Sequence, residues 1–267
     1  MGTFVTAKSR RVAIITGASS GFGSEFARLF ASDGVDVVLV ARRTALLKKL
    51  ANELRKKYDV NVYVYSYDLS KTDNINKLYK AIMRKKLRVY YLVNNAGFGE
   101  YGLFDTLLEE KVASMISVNV AALTLLTHLF LPQMRRRKCG YILNVASTAA
   151  FVSGPFMAEY FATKAYVVSF SEALHQEYAS YGVAVTALCP GPSKTGFADN
   201  SGIDKLDIFK GNLPLAIDVA KFGYSAMLQN KPIVIFGKKN KNAAILSRLL
   251  PRSFVRNQTL KLMQPRK

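Results

Sequence analysis

The chain has 267 residues and a mass of 29.6 kDa, and half of its residues are hydrophobic. That length suits one large α/β domain with a substantial core, because single domains of this type reach about 250 residues. The formal net charge of +20 and the pI of about 9.9 attract phosphorylated or carboxylated ligands, anionic membranes and nucleic acids, without choosing among them.

No apolar run approaches the roughly 20 residues of a membrane span. The most hydrophobic stretch, 117–132, is interrupted by polar residues such as Asn119 and His128, which favours a buried helix. The first residues lack the apolar core of a secretory signal, so we expect a cytoplasmic protein. Cys139 and Cys189 have no C-x-x-C spacing, which favours buried thiols over a disulfide or a metal site.

Short β-branched runs alternate with segments of helical periodicity along the chain. This alternation is typical of repeated βαβ units, and no linker or repeat interrupts it. We therefore predict one Rossmann-type domain over 1–267, with a doubly wound parallel sheet of about seven strands and helices on both faces. Ligands bind such sheets at the carboxyl ends of the strands. The predicted strands are 11–16, 37–40, 60–65, 90–93, 141–145, 183–188 and 232–236.

A glycine-rich turn, T-G-A-S-S-G-F-G, directly follows the first predicted strand and opens a helix. Glycine at 17, 21 and 23 permits a tight turn and lets backbone N–H groups approach an anion. The positive N-terminal end of the following helix adds to this attraction. The turn is therefore predicted to bind a pyrophosphate group.

Tyr160 and Lys164 stand four residues apart in the predicted helix M-A-E-Y-F-A-T-K-A-Y. Residues with that spacing share one face, so a phenol and an ammonium group can lie close together. A free tyrosine with a pKa near 10 is a poor base at neutral pH, and a neighbouring cation would favour the phenolate. The pair is predicted to make Tyr160 a usable acid and base.

These motifs together resemble the classical short-chain dehydrogenases/reductases, and the resemblance covers nearly the whole chain. Besides the glycine turn, the matching elements are Asp68 in Y-D-L-S, N-N-A-G at 94–97, Asn119 in V-N-V, Ser147 in N-V-A-S, the pair Tyr160 and Lys164, and P-G-P-S-K-T at 190–195. The resemblance implies a hydride transfer between a nicotinamide cofactor and a carbonyl or alcohol, with no metal.

The resemblance also implies roles for single residues. Ser147 would hydrogen-bond the substrate oxygen, Lys164 would bind the nicotinamide ribose, and Asn119 would hold a water for proton relay. On the cofactor side, Asp68 would bond the adenine amino group and Thr195 the nicotinamide carboxamide. The remaining residues expected at the cofactor are Ser19, Ser20, Phe22, Arg42, Arg43, Asn94, Ala96, Gly97, Pro190 and Gly191.

The end of the second strand predicts which dinucleotide is bound. A site that prefers NAD places a carboxylate there, whereas a 2'-phosphate needs a cation. This chain has Ala41 followed by Arg42, and Asp36 lies at the opposite end of the strand. We therefore expect NADP(H), with Arg42 as the phosphate ligand and Arg43 or Ser19 as helpers.

Segment 193–215, after the P-G motif, lies where this family forms a substrate lid. It carries Phe197, Ile203, Leu206, Ile208 and Phe209, which favour a partly apolar ligand. Further apolar residues flank the expected site, namely Phe98, Tyr101, Phe151, Val152, Phe156 and Met157. A steroid or bile acid is the preferred substrate class, and a fatty-acyl or small carbonyl compound is the alternative. An alternative of another kind is a non-catalytic NADPH-binding protein whose basic tail binds membrane or nucleic acid.

Segment 238–267 is basic and amphipathic, and no Asp or Glu follows Asp218. Ile245, Leu246, Leu249 and Leu250 share one face before Pro251 ends the pattern. The segment is expected to cap the cleft or pack on the domain, or else to touch anionic lipid, while nucleic acid is the less favoured partner. Helices around 107–135 and 158–181 resemble those that build dimers and tetramers in the family. Glu159 is expected to be solvated or paired with a cation.

Overall fold

Seven parallel strands form a single sheet in the computed structural model, which describes residues 11–204 and 206–264. The strand order is β3-β2-β1-β4-β5-β6-β7. This confirms the predicted doubly wound fold. The strands are β1 Val12–Thr16, β2 Asp36–Ala41, β3 Val62–Ser66, β4 Val89–Asn94, β5 Gly140–Val145, β6 Val183–Cys189 and β7 Ile233–Ile235.

Helices connect the strands and cover both faces of the sheet. They are α1 Gly21–Ser32, α2 Thr44–Lys57, α3 Thr72–Arg84, α4 Glu109–Ile116, α5 Leu123–Arg137, α6 Ala158–Tyr178, α7 Phe197–Ser201, α8 Ala216–Leu228, α9 Lys238–Leu249 and α10 Arg252–Met263. A π-helical turn, Ser117–Ala122, joins α4 to α5.

Two apolar cores lie on opposite faces of the sheet because successive residues of a strand point to opposite sides. Ile15 and Leu39 belong to the core that contains Phe26 and Phe30 of α1. Ile14 and Val38 belong to the core that contains Phe130 of α5. All five residues of β1 are buried, as expected for a central strand covered on both faces.

The direction in which successive strands are added to the sheet reverses between β1 and β4, which are neighbours in the sheet. Strands β2 and β3 extend the sheet to one side of β1, and β5 to β7 extend it to the other side. The connections after β1 and β4 therefore separate and leave a crevice at the carboxyl ends of these strands. The glycine turn and the N-N-A-G motif both fall at this crevice.

One long helical segment differs from expectation. Residues Glu109–Arg137 run continuously through α4, the π turn and α5, and by length and composition this segment of the described chain could cross a membrane. The expectation that no run comes near that length is therefore wrong. The segment nevertheless packs Leu126, Phe130 and Met134 into the core beneath the sheet. This packing supports the predicted buried helix.

Several predictions touch positions outside the described residues. The signal-sequence argument concerns residues 1–10, the lid segment includes position 205, and the basic segment ends with 265–267. Within the described chain both cysteines are free, with Cys189 buried and Cys139 partly buried. The prediction of buried thiols therefore holds for Cys189, whereas Cys139 is only partly buried.

Candidate active site

A cavity of about 770 Å³ opens at the carboxyl edge of the sheet. One part is lined by the glycine turn, the end of β2 and the loop after β4, and the other by aromatic and aliphatic side chains from the lid segment and α10. Ser147, Tyr160 and Lys164 also line this cavity. The sequence predicted that these regions would meet, and the structure brings them together.

The glycine turn forms a wall of the cavity in which Gly17 and Gly21 carry no side chain. Gly17 and Gly21 adopt the left-handed backbone, with φ of +65° and +55°. A Cβ at Gly17 would lie 2.7 Å from Nδ2 of Asn95, and a Cβ at Gly21 would lie 3.3 Å from Cβ of Thr195. Helix α1 begins at Gly21, so its first N–H groups lie at this wall. The turn therefore fits the pyrophosphate of a dinucleotide.

Gly23 has a different role from the predicted one, because it does not line the cavity. It is the position where α1 crosses the glycine turn, and a Cβ there would lie 2.3 Å from the carbonyl oxygen of Gly17. Contacts this short do not occur between real atoms, so only glycine permits this approach. Gly23 thus shapes the turn from behind and is not expected to contact the cofactor.

A pair of polar residues, which the sequence analysis did not single out, joins the ends of β1 and β4. The Thr16 hydroxyl accepts hydrogen bonds from the backbone N–H groups of Asn95 and Ala96, at 3.0 and 2.9 Å. The Asn95 amide in turn donates to the carbonyl of Thr16 at 2.9 Å. These bonds fix the glycine turn against the loop after β4. Asn95 stands in the quoted N-N-A-G motif, so a signal for it was present.

Asn94 also differs from its predicted role. Its side chain is buried and donates hydrogen bonds to Thr127 of α5 and Asn144 of β5, at 3.1 and 2.9 Å. The predicted contact with the adenine-ribose side is therefore corrected, because Asn94 points into the fold and Asn95 lines the cavity instead. Strand alternation explains the exchange, since neighbouring residues face opposite sides.

Two arginines stand at the rim of the cavity beside the glycine turn. Arg43 donates hydrogen bonds to the hydroxyl of Ser19 at 2.8 Å and to that of Ser20 at 2.6 Å. Arg42 is exposed and lines the same rim. Asp36 lies at the other end of β2, where it accepts two hydrogen bonds from Asn61. The rim thus carries two cations and two hydroxyls at the end of β2.

Asp68 lines the cavity beyond this rim. Its Oδ1 accepts hydrogen bonds from the backbone and the hydroxyl of Ser70, at 3.0 and 2.9 Å. Burial alone would raise the pKa of Asp68, but these hydrogen bonds and the charge of Arg42 hold the pKa below its ordinary value. Asp68 is therefore a carboxylate at neutral pH, as an acceptor for an adenine amino group must be.

Tyr160 and Lys164 lie on one face of α6, as their spacing predicted. Both are buried, and the Lys164 ammonium lies 5.7 Å from the centre of the Tyr160 ring. Lys164 is held in place by a 2.8 Å hydrogen bond to the carbonyl oxygen of Val145 at the end of β5. Ser147 follows two residues later, and its Oγ accepts a 3.1 Å hydrogen bond from Ala149 N–H.

Burial dominates the proton affinities of this pair. It raises the pKa of Tyr160 to about 12, and a hydrogen bond with Ser147 opposes that rise. Burial also lowers the pKa of Lys164 to about 8. Burial therefore keeps the Tyr160 phenol protonated in this structure. This result differs from the sequence analysis, which expected Lys164 to favour the phenolate. Tyr160 is a protonated phenol at neutral pH, which suits a proton donor.

Asn119 lies in the π-helical turn between α4 and α5. Its amide donates to the carbonyl of Phe98 at 2.8 Å and to Thr163 at 3.2 Å, while its Oδ1 accepts from the N–H of Phe98 at 3.1 Å. Asn119 thus clamps the loop after β4 onto α6 behind the cavity. Gly97 separates it from Lys164, since a Cβ there would lie 3.0 Å from Asn119 Oδ1 and 3.4 Å from Lys164 Nζ.

The remaining residues predicted at the cofactor also line the cavity, namely Phe22, Ala96, Gly97, Pro190, Gly191 and Thr195. Asn240 of α9 joins them, although the sequence analysis did not select it. A Cβ at Gly191 would lie 2.4 Å from Nδ2 of Asn240, so α9 packs directly on the P-G loop. No local sequence pattern predicts that Asn240 lies at the cavity, because its position depends on how α9 folds back onto the P-G loop.

The apolar part of the cavity combines the lid segment with α10. Phe197, Ile203, Ile208 and Phe209 line it as predicted, together with Phe98, Phe151, Val152 and Met157. Leu206, Tyr101 and Phe156 pack in the adjoining apolar cluster and not on the cavity wall. Thr259, Leu262 and Met263 of α10 complete the wall, and the Tyr101 hydroxyl donates a 2.6 Å hydrogen bond to the Met263 carbonyl. The expected capping of the cleft by the tail matches this position.

Glu159 is neither solvated nor paired, in contrast to the expectation. Both of its carboxylate oxygens are buried without a hydrogen-bond partner, beside a second cavity of about 240 Å³. Burial raises the pKa of this carboxyl.

The two histidines do not form a metal site: His128 is exposed, and His175 contacts the Val185 carbonyl at 2.9 Å. No cluster of metal-ligating residues occurs within 11–204 and 206–264.

Comparisons with known proteins agree with this geometry. A family model described as "short chain dehydrogenase" matches residues 11–205. Over 186 residues the chain is 39% identical to a Laccaria bicolor protein named very-long-chain 3-oxoacyl-CoA reductase, an alignment that covers 68% of this chain and 54% of that protein. It is 36% identical over 182 residues to the human inactive hydroxysteroid dehydrogenase-like protein 1, with 67% and 55% covered.

Among solved structures, a short-chain dehydrogenase from Sphingobium yanoikuyae in complex with NADPH superposes with a TM-score of 0.80 and 29% identity, covering 90% of this chain and 94% of that one. The chain spans little more than half the length of the two curated relatives. The family match, by contrast, covers most of the chain. The fold, the glycine turn and the grouping of Ser147, Tyr160 and Lys164 agree with that match. The chain belongs to the family of classical short-chain dehydrogenases/reductases.

Proposed function

We propose that the protein is an NADP(H)-dependent oxidoreductase that reduces a ketone to a secondary alcohol on a hydrophobic substrate. One observation carries this proposal: Tyr160 and Ser147 line the same cavity as the glycine turn and the apolar wall formed by the lid segment and α10. A carbonyl group that enters this cavity can therefore approach both hydroxyls. The reverse oxidation uses the same groups.

The proton chemistry follows from the burial of the pair. When bound, a reduced nicotinamide supplies the hydride that adds to the carbonyl carbon. The oxygen then takes a proton from the Tyr160 hydroxyl, while Ser147 donates a hydrogen bond that holds this oxygen in place. Because the pKa of Tyr160 is raised to about 12, the proton is present throughout the physiological range. Lys164 positions the site through Val145 and supplies positive charge below a pH of about 8.

Preference for NADP(H) is supported by the rim of the cavity. Arg42 and Arg43 stand beside Ser19 and Ser20 at the end of β2, where a 2'-phosphate would lie. The position that would carry a carboxylate in an NAD site is Ala41. The relative from Sphingobium yanoikuyae is described in complex with NADPH. These features support a cation-lined phosphate site and place no carboxylate at the end of β2 to accept from a free 2'-hydroxyl.

For the substrate, the comparisons favour a 3-oxoacyl thioester with a long chain, which the sequence analysis held as an alternative. The Laccaria bicolor relative carries that activity in its name, and an aromatic and aliphatic wall suits an acyl chain. A steroid or bile acid is the second candidate, since the flat rings of such molecules also match a wall of Phe98, Phe197 and Phe209. Small carbonyl compounds would fill little of this wall.

A non-catalytic role remains the competing hypothesis, and one relative is described as inactive. Against this role, the described chain groups Ser147 with three buried residues, Tyr160, Lys164 and Asn119, and the side chains of Lys164 and Asn119 are held by hydrogen bonds. Such a cluster places a lysine ammonium in an apolar setting, which lowers stability and is difficult to explain without catalysis.

The test is NADPH oxidation over a panel of 3-oxoacyl thioesters, hydroxysteroids, bile acids and small carbonyls. Turnover on one class, with loss of at least about 100-fold in Tyr160→Phe, is expected for a removed general acid. Tyr166→Phe is the matched control, because that phenol lies on the same helix and contacts Thr124. Retention of activity in Tyr160→Phe would contradict the proposed role of this residue.

The assembly follows only from the family resemblance. We infer a homodimer or homotetramer built through α5 and α6, where Ile116 at the preceding end of α4 and Tyr166 are 49% and 38% exposed. Light scattering of the purified protein tests the assembly. A monomer at micromolar concentration would contradict it.

A further inference from the structure

The turn between α9 and α10 projects apolar side chains into solvent. Leu249 is 76% exposed and Phe254 is 49% exposed, although both belong to residue types that are normally buried. Ile245 and Leu246, one turn earlier in α9, are 50% and 52% exposed. We call residues 248–256 the hairpin tip. This surface exposes more large apolar side chains than the folding of the chain requires.

The same hairpin tip carries only positive charge. Arg248, Arg252 and Arg256 are exposed and recur every four residues through the tip. The sequence contains no Asp or Glu after Asp218, so no carboxylate on these two helices can neutralise them. Apolar side chains flanked by arginines thus occupy one short, exposed segment.

The inner faces of α9 and α10 are already in use. Ala244, Thr259 and Met263 are buried, and the Met263 carbonyl accepts the hydrogen bond from Tyr101. Arg248 also stacks on the ring of Phe151, with 5.6 Å from its guanidinium carbon to the ring centre. These contacts hold the hairpin on the cavity in a fixed orientation. The outward residues are therefore not required to pack the hairpin onto the domain.

We propose that the hairpin tip docks on an anionic phospholipid surface. Leu249 and Phe254 would enter the boundary between headgroups and acyl chains, while Arg252 and Arg256 would bind lipid phosphates. The hairpin tip of a second copy is a poor occupant, since two such tips, each with exposed arginines and no carboxylate, repel each other. Nucleic acid would use the arginines but would leave the apolar side chains in water.

Docking in this way would bring the cavity to the lipid. Leu262 of α10 lines the cavity and is 58% exposed, so it lies between the apolar wall and the outer surface. A hydrophobic substrate held in the bilayer could then enter beneath α10. The lipid contact itself does not depend on turnover, so its test is independent of the proposed reaction.

Tryptophan fluorescence tests the contact directly because the chain contains no tryptophan. Leu249→Trp introduces a single reporter at the hairpin tip, and Leu103→Trp is the control, at another exposed leucine with 59% exposure. Vesicles of phosphatidylcholine with phosphatidylglycerol should shift the emission of the first variant to the blue and leave the second unchanged. Vesicles of phosphatidylcholine alone should give little shift at either position.

Charge variants separate the tip from the general charge of the protein. Arg252→Gln with Arg256→Gln should weaken vesicle binding roughly twentyfold at 0.15 M salt, since each basic residue at the surface contributes about fivefold. Lys77→Gln with Lys80→Gln removes the same charge from α3 and should change binding less than about twofold, because distant charges are screened at this salt concentration.

Three outcomes would overturn the proposal. The first is an equal loss of binding in the two charge variants, which would indicate a non-specific electrostatic attraction. The second is a blue shift in Leu249→Trp that grows with protein concentration without vesicles, which would identify a second copy as the occupant. The third is a shift caused by duplex DNA and not by vesicles.

Discussion

Replacing the buried lysine by methionine should stabilise the protein while removing its activity. Lys164→Met has nearly the same length and no charge. The ordinary pKa of 10.5 falls to about 8 in the folded chain because of burial. Each pKa unit corresponds to about 1.4 kcal/mol, so holding the ammonium charged in this position costs about 3 kcal/mol at neutral pH.

The substitution also removes the hydrogen bond from Lys164 to the Val145 carbonyl. An unsatisfied buried carbonyl costs about 1–3 kcal/mol. The net gain in the free energy of unfolding is then on the order of 1 kcal/mol, which raises Tm by about 2–4 °C in a domain of this size. Turnover should fall by at least about 100-fold.

The pH dependence gives the sharper test. The folded-state pKa lies below the unfolded one, so the folded protein binds fewer protons between about pH 8 and 10.5. The wild type therefore gains stability as pH rises through this window, and Lys164→Met lacks that gain. The burial cost falls from about 3 kcal/mol at pH 7 to about 1 kcal/mol at pH 10, whereas the lost hydrogen bond costs about 1–3 kcal/mol throughout. The Tm advantage of Lys164→Met should therefore be largest at pH 7, fall as pH rises and reverse by about pH 10. Lys77→Met, on the exposed face of α3, is the control with no expected change.

Thermal unfolding followed by circular dichroism at a series of pH values measures both effects. A Lys164→Met variant that is less stable than the wild type at pH 7 would refute the reasoning. So would a stability difference that stays constant from pH 7 to pH 10, because the burial of the charge would then have no measurable cost.

Three further predictions concern the rim, the glycine turn and α10. Arg42→Ala should raise the KM for NADPH about tenfold and leave the KM for NADH unchanged, as expected for one lost charge-assisted contact; equal effects on both cofactors would contradict the phosphate site. Gly23→Ala should lower Tm by several degrees in thermal unfolding, because its Cβ would overlap Gly17. Gly34→Ala is the control and should lower Tm less, because there is open space around Gly34. Tyr101→Phe should raise the substrate KM severalfold without changing NADPH binding in a steady-state assay, because it frees the Met263 carbonyl. An unchanged KM would show that this hydrogen bond does not position α10 for substrate binding.

The sheet and its cofactor edge could be predicted from the sequence because each strand and helix carries its own local pattern. β-branched runs and helical periodicity alternate without interruption, and the glycine turn can be read where the first strand ends. Tyr160 and Lys164 needed only the geometry of one helix. Strand β2 ends at Ala41 and Arg42 follows it, so the positive charge at the rim of the cavity could also be predicted from adjacent residues.

The corrections have a common physical origin, which is that they depend on contacts between distant segments. Asn94 and Asn95 are neighbours, but the register of β4 turns Asn94 toward α5 and Asn95 toward the glycine turn. The π-helical turn at Asn119 arises within a pattern that reads as an ordinary helix. Asn240 reaches the P-G loop only because α9 folds back onto it.

Glu159 and Tyr160 illustrate the limits of local charge arguments. The sequence places a cation one helical turn from Tyr160, yet burial of both groups outweighs the attraction in the folded chain. For Glu159, the sequence predicted solvent or a cation as the partner, but its carboxylate is buried beside the second cavity, which residues of the loop 102–107 also line. Desolvation depends on the whole packing around a residue, which a sequence pattern does not contain.

The central claim is that Tyr160 donates the proton in an NADPH-linked reduction of a hydrophobic ketone. It is tested most directly by following NADPH oxidation with long-chain 3-oxoacyl thioesters and hydroxysteroid ketones, using the wild type and Tyr160→Phe at equal NADPH saturation. The account predicts turnover by the wild type and loss of at least about 100-fold in the variant, with NADPH affinity unchanged. Equal rates for the two proteins, or NADPH binding by the wild type without turnover on any ketone, would contradict it.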